Sequence, residues 1–160
     1  MIKIIFTLMN PIKLIQAFIY HMKNKRYDKS TYDLELHLYS KILKNDMLHY
    51  GYFDDVNIQA DNISIKQLED AQIKYVENIT GHIINKDQPV LDVGCGMGGL
   101  SNILFHKGYT VDALTPNENQ INHIKDKYKN INCFHCKFED MATDTKYSTV
   151  INSESLQYIS

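Results

Sequence analysis

Four of the seven glycines in the chain fall within six residues, and this cluster constrains the fold more than any other feature. It comprises Gly94, Gly96, Gly98 and Gly99, and it follows the short apolar stretch 89–93. Glycines between a strand and a helix let the backbone turn sharply and approach a ligand closely. The helix that follows offers free N–H groups at its amino-terminal end. The cluster therefore predicts a strand–turn–helix unit with a ligand site at the turn.

The residues around the cluster alternate between strand and helix patterns. Short apolar runs predict four strands, and apolar residues at helical spacing predict two helices between the first three of them. The strands are predicted at 89–94, 109–114, 131–136 and 147–152, and the helices at 99–107 and 117–129. This alternation predicts a parallel α/β sheet with right-handed crossovers.

The first 85 residues predict a helical region of a different kind. Helices are expected at 11–25, 30–44 and 64–85, with an aromatic-rich loop at 46–55 between the second and third. The first helix is amphipathic and ends in a basic run, so it packs on the domain or a partner, covers a site as a lid, or makes a weak membrane-surface contact. The uncharged run before it is far shorter than the roughly 20 residues of a membrane span. We divide the chain into a helical cap region, 1–85, and a sheet domain, 86–160.

Composition excludes several classes of protein. A hydrophobic fraction of 44% excludes a wholly disordered chain, and a net charge of −2 excludes a basic nucleic-acid module. Three cysteines without framework spacing indicate a reducing, cytoplasmic environment, with a membrane-peripheral location as the alternative. Cys133 and Cys136 form a CxxC pair within a predicted strand, without further ligands at zinc spacing. We interpret them as strand residues and predict no metal site.

Two cofactors compete for the glycine cluster, because Gly94-x-Gly96-x-x-Gly99 also fits a dinucleotide fingerprint. Asp92, inside the first strand, would repel a pyrophosphate but suits the cationic groups of S-adenosylmethionine. A dinucleotide site places an acid at the end of the second strand, and Asp112 comes too early for that role. The acidic side chain of Glu139, after the third strand, can accept a hydrogen bond from adenine. These points favour S-adenosylmethionine.

At this point the chain resembles a known family. The segment 91–99 is similar to the first motif of class I S-adenosylmethionine-dependent methyltransferases. Other motifs resemble the branch that contains cyclopropane fatty-acid synthases, mycolic-acid methyltransferases, and tocopherol and geranyl diphosphate methyltransferases. Pro116 and Asn117 depart from the usual turn after the second strand. The matching segments are Tyr50–Phe53, Ala71–Gln72, Thr115–Gln120, Phe138–Glu139 and Asn152–Tyr158.

The resemblance implies a set of cofactor-binding residues. The methionine end of the cofactor would meet Asp92, Gly94, Gly96 and Gly98. The ribose would meet Thr115 and Gln120, and the adenine would meet Phe138 and Glu139. The methyl group would be covered by Tyr50 and Tyr52. Aromatic faces stabilise a cationic sulfonium through cation–π attraction.

The catalytic candidates are Glu154, Tyr52 and His49, and each has an alternative interpretation. Glu154 follows the fourth strand, where ligands bind, but it is also placed as an acid at a helix start. Tyr52 and Phe53 alternatively fill a core as apolar plugs. His49 is either a general base or a histidine on a surface loop.

We therefore expect a Rossmann-like methyltransferase sheet with four of the usual seven strands, preceded by a helical part. The expected function is methyl transfer from S-adenosylmethionine to a small-molecule or lipid-like substrate. The alternatives are a non-catalytic S-adenosylmethionine-binding module or truncated pseudo-enzyme that acts through a partner and, more weakly, a nicotinamide-dependent oxidoreductase. Because the resemblance implies seven strands, we also expect these 160 residues to be the N-terminal portion of a longer enzyme or a truncated product.

Overall fold

The computed structural model describes residues 41–55, 57–58 and 62–159, which form three helices and four strands. Every strand, and both helices between strands, lie within two residues of the predicted boundaries. The order is α1 (Ile65–Thr80), β1 (Val90–Val93), α2 (Gly99–His106), β2 (Val111–Thr115), α3 (Glu118–Lys127), β3 (Asn132–His135) and β4 (Thr149–Ile151). Two single-turn 3₁₀ helices follow β3 and β4, at Phe138–Asp140 and Leu156–Tyr158.

The four strands form one parallel sheet in the order β3-β2-β1-β4. β1 pairs with β2 on one side and with β4 on the other, in register Asp92↔Ala113 and Asp92↔Ile151. The chain therefore builds outward from β1 to β3 and then returns to the opposite side of β1. The strand order reverses between β1 and β4, and in open α/β sheets ligands bind at the carboxyl ends of strands at such a reversal.

Helix α1 ends earlier than the sequence predicts. Its start is fixed by a capping box, in which Ser64 Oγ accepts from the Gln67 amide and the Gln67 side chain accepts from the Ser64 amide. The prediction that it continues to residue 85 is wrong, because the helix ends at Thr80. Gly81, a poor helix former, caps it, and the next two amides bond three residues back in a tighter turn.

The helices pack on one face of the sheet. Val90, Val111 and Ile151 on that face meet Leu104 of α2 and Val76 of α1, all buried. Further along the same face a second cluster joins Ala113 of β2 to Ile124 of α3. The opposite face buries Leu91, Val93 and Leu114 against side chains from the segments after β3 and β4. The sheet is thus covered on both faces, and its carboxyl edge carries the loops.

The cap region is described only from residue 41. The helix predicted at 11–25 lies outside the described residues, as does most of the helix predicted at 30–44. The loop predicted at 46–55 is confirmed as irregular. No helix in the part of the chain that the structure describes is long and apolar enough to cross a membrane.

Candidate functional site

The glycine-rich turn lies at the carboxyl end of β1, next to the point where the strand order reverses. Gly94, Gly96 and Gly98 have φ values of 72°, 56° and 84°, in the left-handed region that favours glycine. The amides of Gly94 and Cys95 both donate to Leu114 O of β2, at 2.8 and 3.1 Å. Gly98 then caps the start of α2 and lies against Ile124 of α3. Contacts within the protein itself therefore fix the backbone conformation of the turn.

The loop after β4 closes against this turn. Ser155 is buried, and its hydroxyl donates to Val93 O at 2.5 Å, at the end of β1. A β-carbon on Gly94 would lie 2.4 Å from Ser155 Cβ, far inside van der Waals contact. Glycine at position 94 is thus required both by its backbone conformation and by the approach of the β4 loop.

We expect Gly94→Ala to destabilise the chain more than Gly108→Ala. Both glycines have a left-handed φ, 72° and 87°, so an alanine at either costs about 1–2 kcal/mol in backbone strain. Only Gly94 also meets a neighbour, since nothing lies within 4 Å of a β-carbon at Gly108. Overpacking at Gly94 adds about 1–3 kcal/mol. Urea unfolding of the two variants measures the difference, and equal losses would show that the Ser155 contact is unimportant.

A second segment covers the site from the N-terminal side. We call residues 45–50 the docking segment. Gln72 of α1, only 1% exposed, holds it: Gln72 Nε2 donates to Met47 O at 3.2 Å and to His49 O at 2.7 Å, while Gln72 Oε1 accepts from Asn45 Nδ2 at 2.9 Å. One buried side chain thus fixes three residues of the segment.

Asp46 ties the docking segment to α3. Its buried carboxylate accepts from His123 Nε2, Lys127 Nζ and Tyr128 Oη at 2.9, 2.5 and 2.5 Å. Burial raises the pKa of Asp46, but the donors from Lys127, Tyr128 and His123 outweigh it, and the pKa is lowered overall. Asp46 therefore stays ionised, and its contacts hold the docking segment against the end of α3. Its backbone has a left-handed φ of 55°.

The docking segment places His49 in a buried position. His49 is 8% exposed and lies over the Tyr75 ring with centroids 4.6 Å apart. Its Nδ1 lies 2.7 Å from Tyr50 O and must carry the proton, since a carbonyl only accepts. Nε2 then presents a lone pair and has no hydrogen-bond partner among the described residues. The surface-loop interpretation of His49 is wrong, because the segment folds inward against α1.

Burial also sets the charge of His49. It lowers the pKa of the imidazole, and the Tyr50 carbonyl and the Glu154 carboxylate oppose that effect without overcoming it. The ring is therefore neutral at pH 7 and acts as a hydrogen-bond acceptor through Nε2.

Glu154 reaches the docking segment from the other side of the site. Its Oε1 accepts from the Tyr50 amide at 3.0 Å, which joins the loop after β4 to the docking segment. Glu154 has a left-handed φ of 59°, a strained conformation for a residue other than glycine. The alternative in which Glu154 stabilises a helix start is not supported, because only a single 3₁₀ turn follows and the carboxylate faces Tyr50.

The two tyrosines of the aromatic loop are open to solvent. Tyr50 is 80% exposed and Tyr52 is 52% exposed, so Tyr52 does not plug a core. The Tyr52 amide donates to Ala71 O at 2.9 Å, and Gly51 allows this close approach because a β-carbon there would lie 2.4 Å from Ala71 Cβ. Both rings therefore stand at the mouth of the site.

Asp92 lies deeper than the sequence suggests. It is 1% exposed, and its Oδ2 accepts from Ser101 Oγ of α2 at 2.6 Å. Burial raises the pKa of Asp92 to about 6, and the Ser101 hydrogen bond opposes this. Its carboxylate lies beneath the glycine-rich turn, within the packing between β1 and α2.

The residues predicted to meet ribose and adenine follow β2 and β3. Thr115 is buried and donates to Gln120 Oε1 at 2.5 Å, so the two side chains are paired. Phe138 and Glu139 lie in the 3₁₀ turn after β3, where the Phe138 side chain is 38% exposed. Asp112 lies within β2 and accepts from Tyr147 Oη at 2.7 Å, which leaves no acid at the end of that strand.

Folding thus brings together Gly94, Tyr50, His49 and Glu154 around the reversal point, with Thr115 and Phe138 further along the same edge. Sequence reasoning missed Gln72 as the residue that holds the docking segment, although it had noted the Ala-Gln pair. It also missed Asp46, Tyr75 and Ser155. The signal that the sequence offered for Gln72 was a polar residue at helical spacing between the apolar residues Leu68 and Val76 of α1. No group of three or more metal-ligating side chains is found among the described residues.

Comparison with known proteins gives a family match within the predicted sheet domain. Residues 90–160 match a family model described as a methyltransferase domain. No curated protein sequence matches the chain.

Solved structures share the fold at low sequence identity. Coclaurine N-methyltransferase bound to N-methylheliamine and SAH superposes with a TM-score of 0.58 at 18% identity, over 81% of this chain and 37% of that one. A mycolic acid cyclopropane synthase complexed with SAH and CTAB gives 0.55 at 20% identity, over 70% and 40%. A cyclopropane synthase from Mycobacterium tuberculosis gives 0.56 at 16% identity, over 73% and 41%. The chain therefore spans less than half of each of these neighbours.

These findings confirm the Rossmann-like fold and, over residues 90–160, the resemblance to a methyltransferase domain.

Proposed function

We propose, from the methyltransferase domain at residues 90–160, that the chain binds S-adenosylmethionine and takes part in methyl transfer to a small-molecule or lipid-like substrate. The observation that carries the proposal is the position of the glycine-rich turn at the reversal of strand order, between the carboxyl ends of β1 and β4. We assign residues 86–160 to cofactor binding and, within the predicted cap region 1–85, the described segment 45–52 to the N-terminal side of the site.

The residues present fit this cofactor. His49 Nε2 is a buried acceptor without a partner among the described residues, and Glu154 adds an anionic acceptor beside it. Tyr50 and Tyr52 offer exposed aromatic faces, which favour a cation. When bound, S-adenosylmethionine supplies an electrophilic methyl group on a cationic sulfonium. We assign its methionine end to Asp92 and the glycine-rich turn, its ribose to Thr115 and Gln120, and its adenine to Phe138 and Glu139.

The chain's own groups supply positioning and a proton acceptor. In-line displacement gains most from fixed geometry and exclusion of water, and the docking segment provides both through Gln72 and Asp46. An oxygen or nitrogen acceptor loses a proton as it is methylated. The neutral His49 and the Glu154 carboxylate are the groups at the site that can accept it.

Calorimetric titration tests the cofactor. We expect S-adenosylhomocysteine to bind the full chain with one-to-one stoichiometry and NAD⁺ to give no heat. Circular dichroism on the same sample verifies that the chain is folded. A folded chain that binds NAD⁺ and not S-adenosylhomocysteine would contradict the proposal.

Methyl transfer is tested separately. The chain is incubated with S-adenosylmethionine labelled on the methyl group and with a lipid or metabolite extract. We expect His49→Gln and Glu154→Gln each to lower the transfer of label by roughly 10²-fold or more, the usual size of an acid–base contribution, and to weaken S-adenosylhomocysteine binding far less. Binding without transfer by the unsubstituted chain would favour the non-catalytic module.

A further inference from the structure

Two cysteine side chains meet beside the glycine-rich turn. Cys95 follows Gly94, and Cys133 lies in β3 opposite Ala113 of β2. The Cys95 amide donates to Leu114 O, and Leu114 follows Ala113 in β2. The turn therefore crosses the end of β2 toward β3. Both cysteines pack in the cluster that contains Ala113 and Ile124, and the Cys95 thiol donates to Gly96 O at 3.9 Å.

The two thiols have different properties. The neighbouring Cys95 thiol lowers the pKa of Cys133; burial opposes this, and Lys125 adds a favourable positive charge. The Cys133 thiol, together with burial, raises the pKa of Cys95. Cys133 is the more exposed of the two and carries the more nucleophilic sulfur, while Cys95 keeps its proton.

Cys136 is a natural comparison. It is a free thiol three residues after Cys133, and side chains at that separation along a strand point to opposite faces. The packing agrees, since Cys136 contacts the cluster of Leu91, Val93 and Leu114 on the other side of the sheet. Burial raises its pKa. The CxxC pair therefore cannot close a disulfide in the folded chain, whereas Cys95 and Cys133 share one face.

We propose that Cys95 and Cys133 form an oxidation site, at which a peroxide converts the two thiols into a disulfide that links the glycine-rich turn to β3. The Cys133 thiolate attacks a peroxide oxygen, the O–O bond breaks and hydroxide leaves, which gives a sulfenic acid. The Cys95 sulfur then attacks the Cys133 sulfur, the S–O bond breaks, and the Cys95 proton leaves with the hydroxyl group as water. Overall the two cysteines are oxidised by two electrons, and one peroxide becomes two waters.

Peptide mapping tests the site in the full chain. The protein is treated with hydrogen peroxide, its remaining thiols are alkylated, and it is digested with trypsin and chymotrypsin, which cleave between Cys133 and Cys136 at Phe134. We expect one bridged pair, Cys95 with Cys133, and alkylated Cys136. Cys133 should react on the order of tenfold faster than Cys136, because its thiolate is favoured.

Two variants and a reaction in urea distinguish oxidation at this site from unselective oxidation of the thiols. Cys136→Ser should form the same bridge at the same rate, and Cys95→Ser should leave a Cys133 sulfenic acid that dimedone traps. In urea the preference for Cys95 over Cys136 as partner should disappear. Equal rates for Cys133 and Cys136, a Cys133–Cys136 bridge in the folded chain, or the same preference in urea would each overturn the proposal.

Discussion

Gln72→Glu is expected to destabilise the chain by about 3 kcal/mol or more, although it changes a single group. Gln72 is 1% exposed and donates to the carbonyls of Met47 and His49. A carboxylate at this position loses both donors and places a buried negative charge against two carbonyl oxygens. Urea unfolding at pH 7 measures the loss, and acidification should reduce it because a protonated Glu regains one donor.

Gln67→Glu is the matched control for this substitution. Gln67 lies on the exposed side of the same helix and completes its capping box, a role that Glu also fills. We expect a change within about 0.5 kcal/mol. Because Gln72 also holds Met47 and His49 in place, Gln72→Glu should weaken S-adenosylhomocysteine binding while Gln67→Glu should not. Equal effects of the two variants on stability would mean that Gln72 does not hold the docking segment.

Asp92→Asn is expected to change how stability depends on pH. Burial raises the pKa of Asp92 to about 6 from an ordinary value of 3.8. Between these values the folded chain binds more protons than the unfolded chain, so the Asp92 contribution to stability falls as pH rises from about 4 to about 6. The shift of about 2 pKa units corresponds to about 3 kcal/mol. Asn does not ionise. The unfolding free energy of Asp92→Asn, relative to that of the unsubstituted chain, should therefore rise by about 3 kcal/mol between pH 4 and pH 8.

The difference in unfolding free energy between variant and unsubstituted chain, measured at several pH values, isolates this contribution from all other titrating groups. Asp126→Asn, on the exposed surface of α3, is the matched substitution at an exposed position. We also expect Asp92→Asn to weaken S-adenosylhomocysteine binding, because it removes the anion assigned to the cationic end of the cofactor. A pH-independent difference would contradict the buried, ionisable state of Asp92.

The parts of the fold that the sequence predicted are those set by local patterns. The strands and helices from Val90 to Ile151 follow from apolar periodicity and from glycines at one turn, each readable within about ten residues. The parallel arrangement follows from the alternation of strands and helices, and the Rossmann-like methyltransferase sheet was predicted from the resemblance of the motifs to a known family. The position of Glu154 beyond the last strand could be predicted because carboxyl ends share one edge.

The docking segment could not be predicted, because its contacts are distant in sequence. Asp46 bonds to Tyr128, 82 positions later, and the Tyr50 amide bonds to Glu154, 104 positions later. Local patterns predict an aromatic loop there and give no information on what it packs against. For this reason, one of the two interpretations of His49 placed it on a surface loop. The prediction for α1 ran past Gly81 because apolar residues continue the helical spacing beyond the observed end of the helix.

The separation between Tyr50 and Glu154 also determines when the site assembles as the chain is synthesised. At about 5–20 residues per second, the 104 positions between them take about 5–20 s to translate. Throughout that interval the docking segment has been made but lacks its last partner, Glu154. All four strands precede Glu154 in the chain, so its contact with Tyr50 is the last of the contacts at the site to become available. A nascent chain stalled before residue 154 should therefore lack the contact between Tyr50 and Glu154, although Gln72 and Tyr128 have already been made and can hold the docking segment.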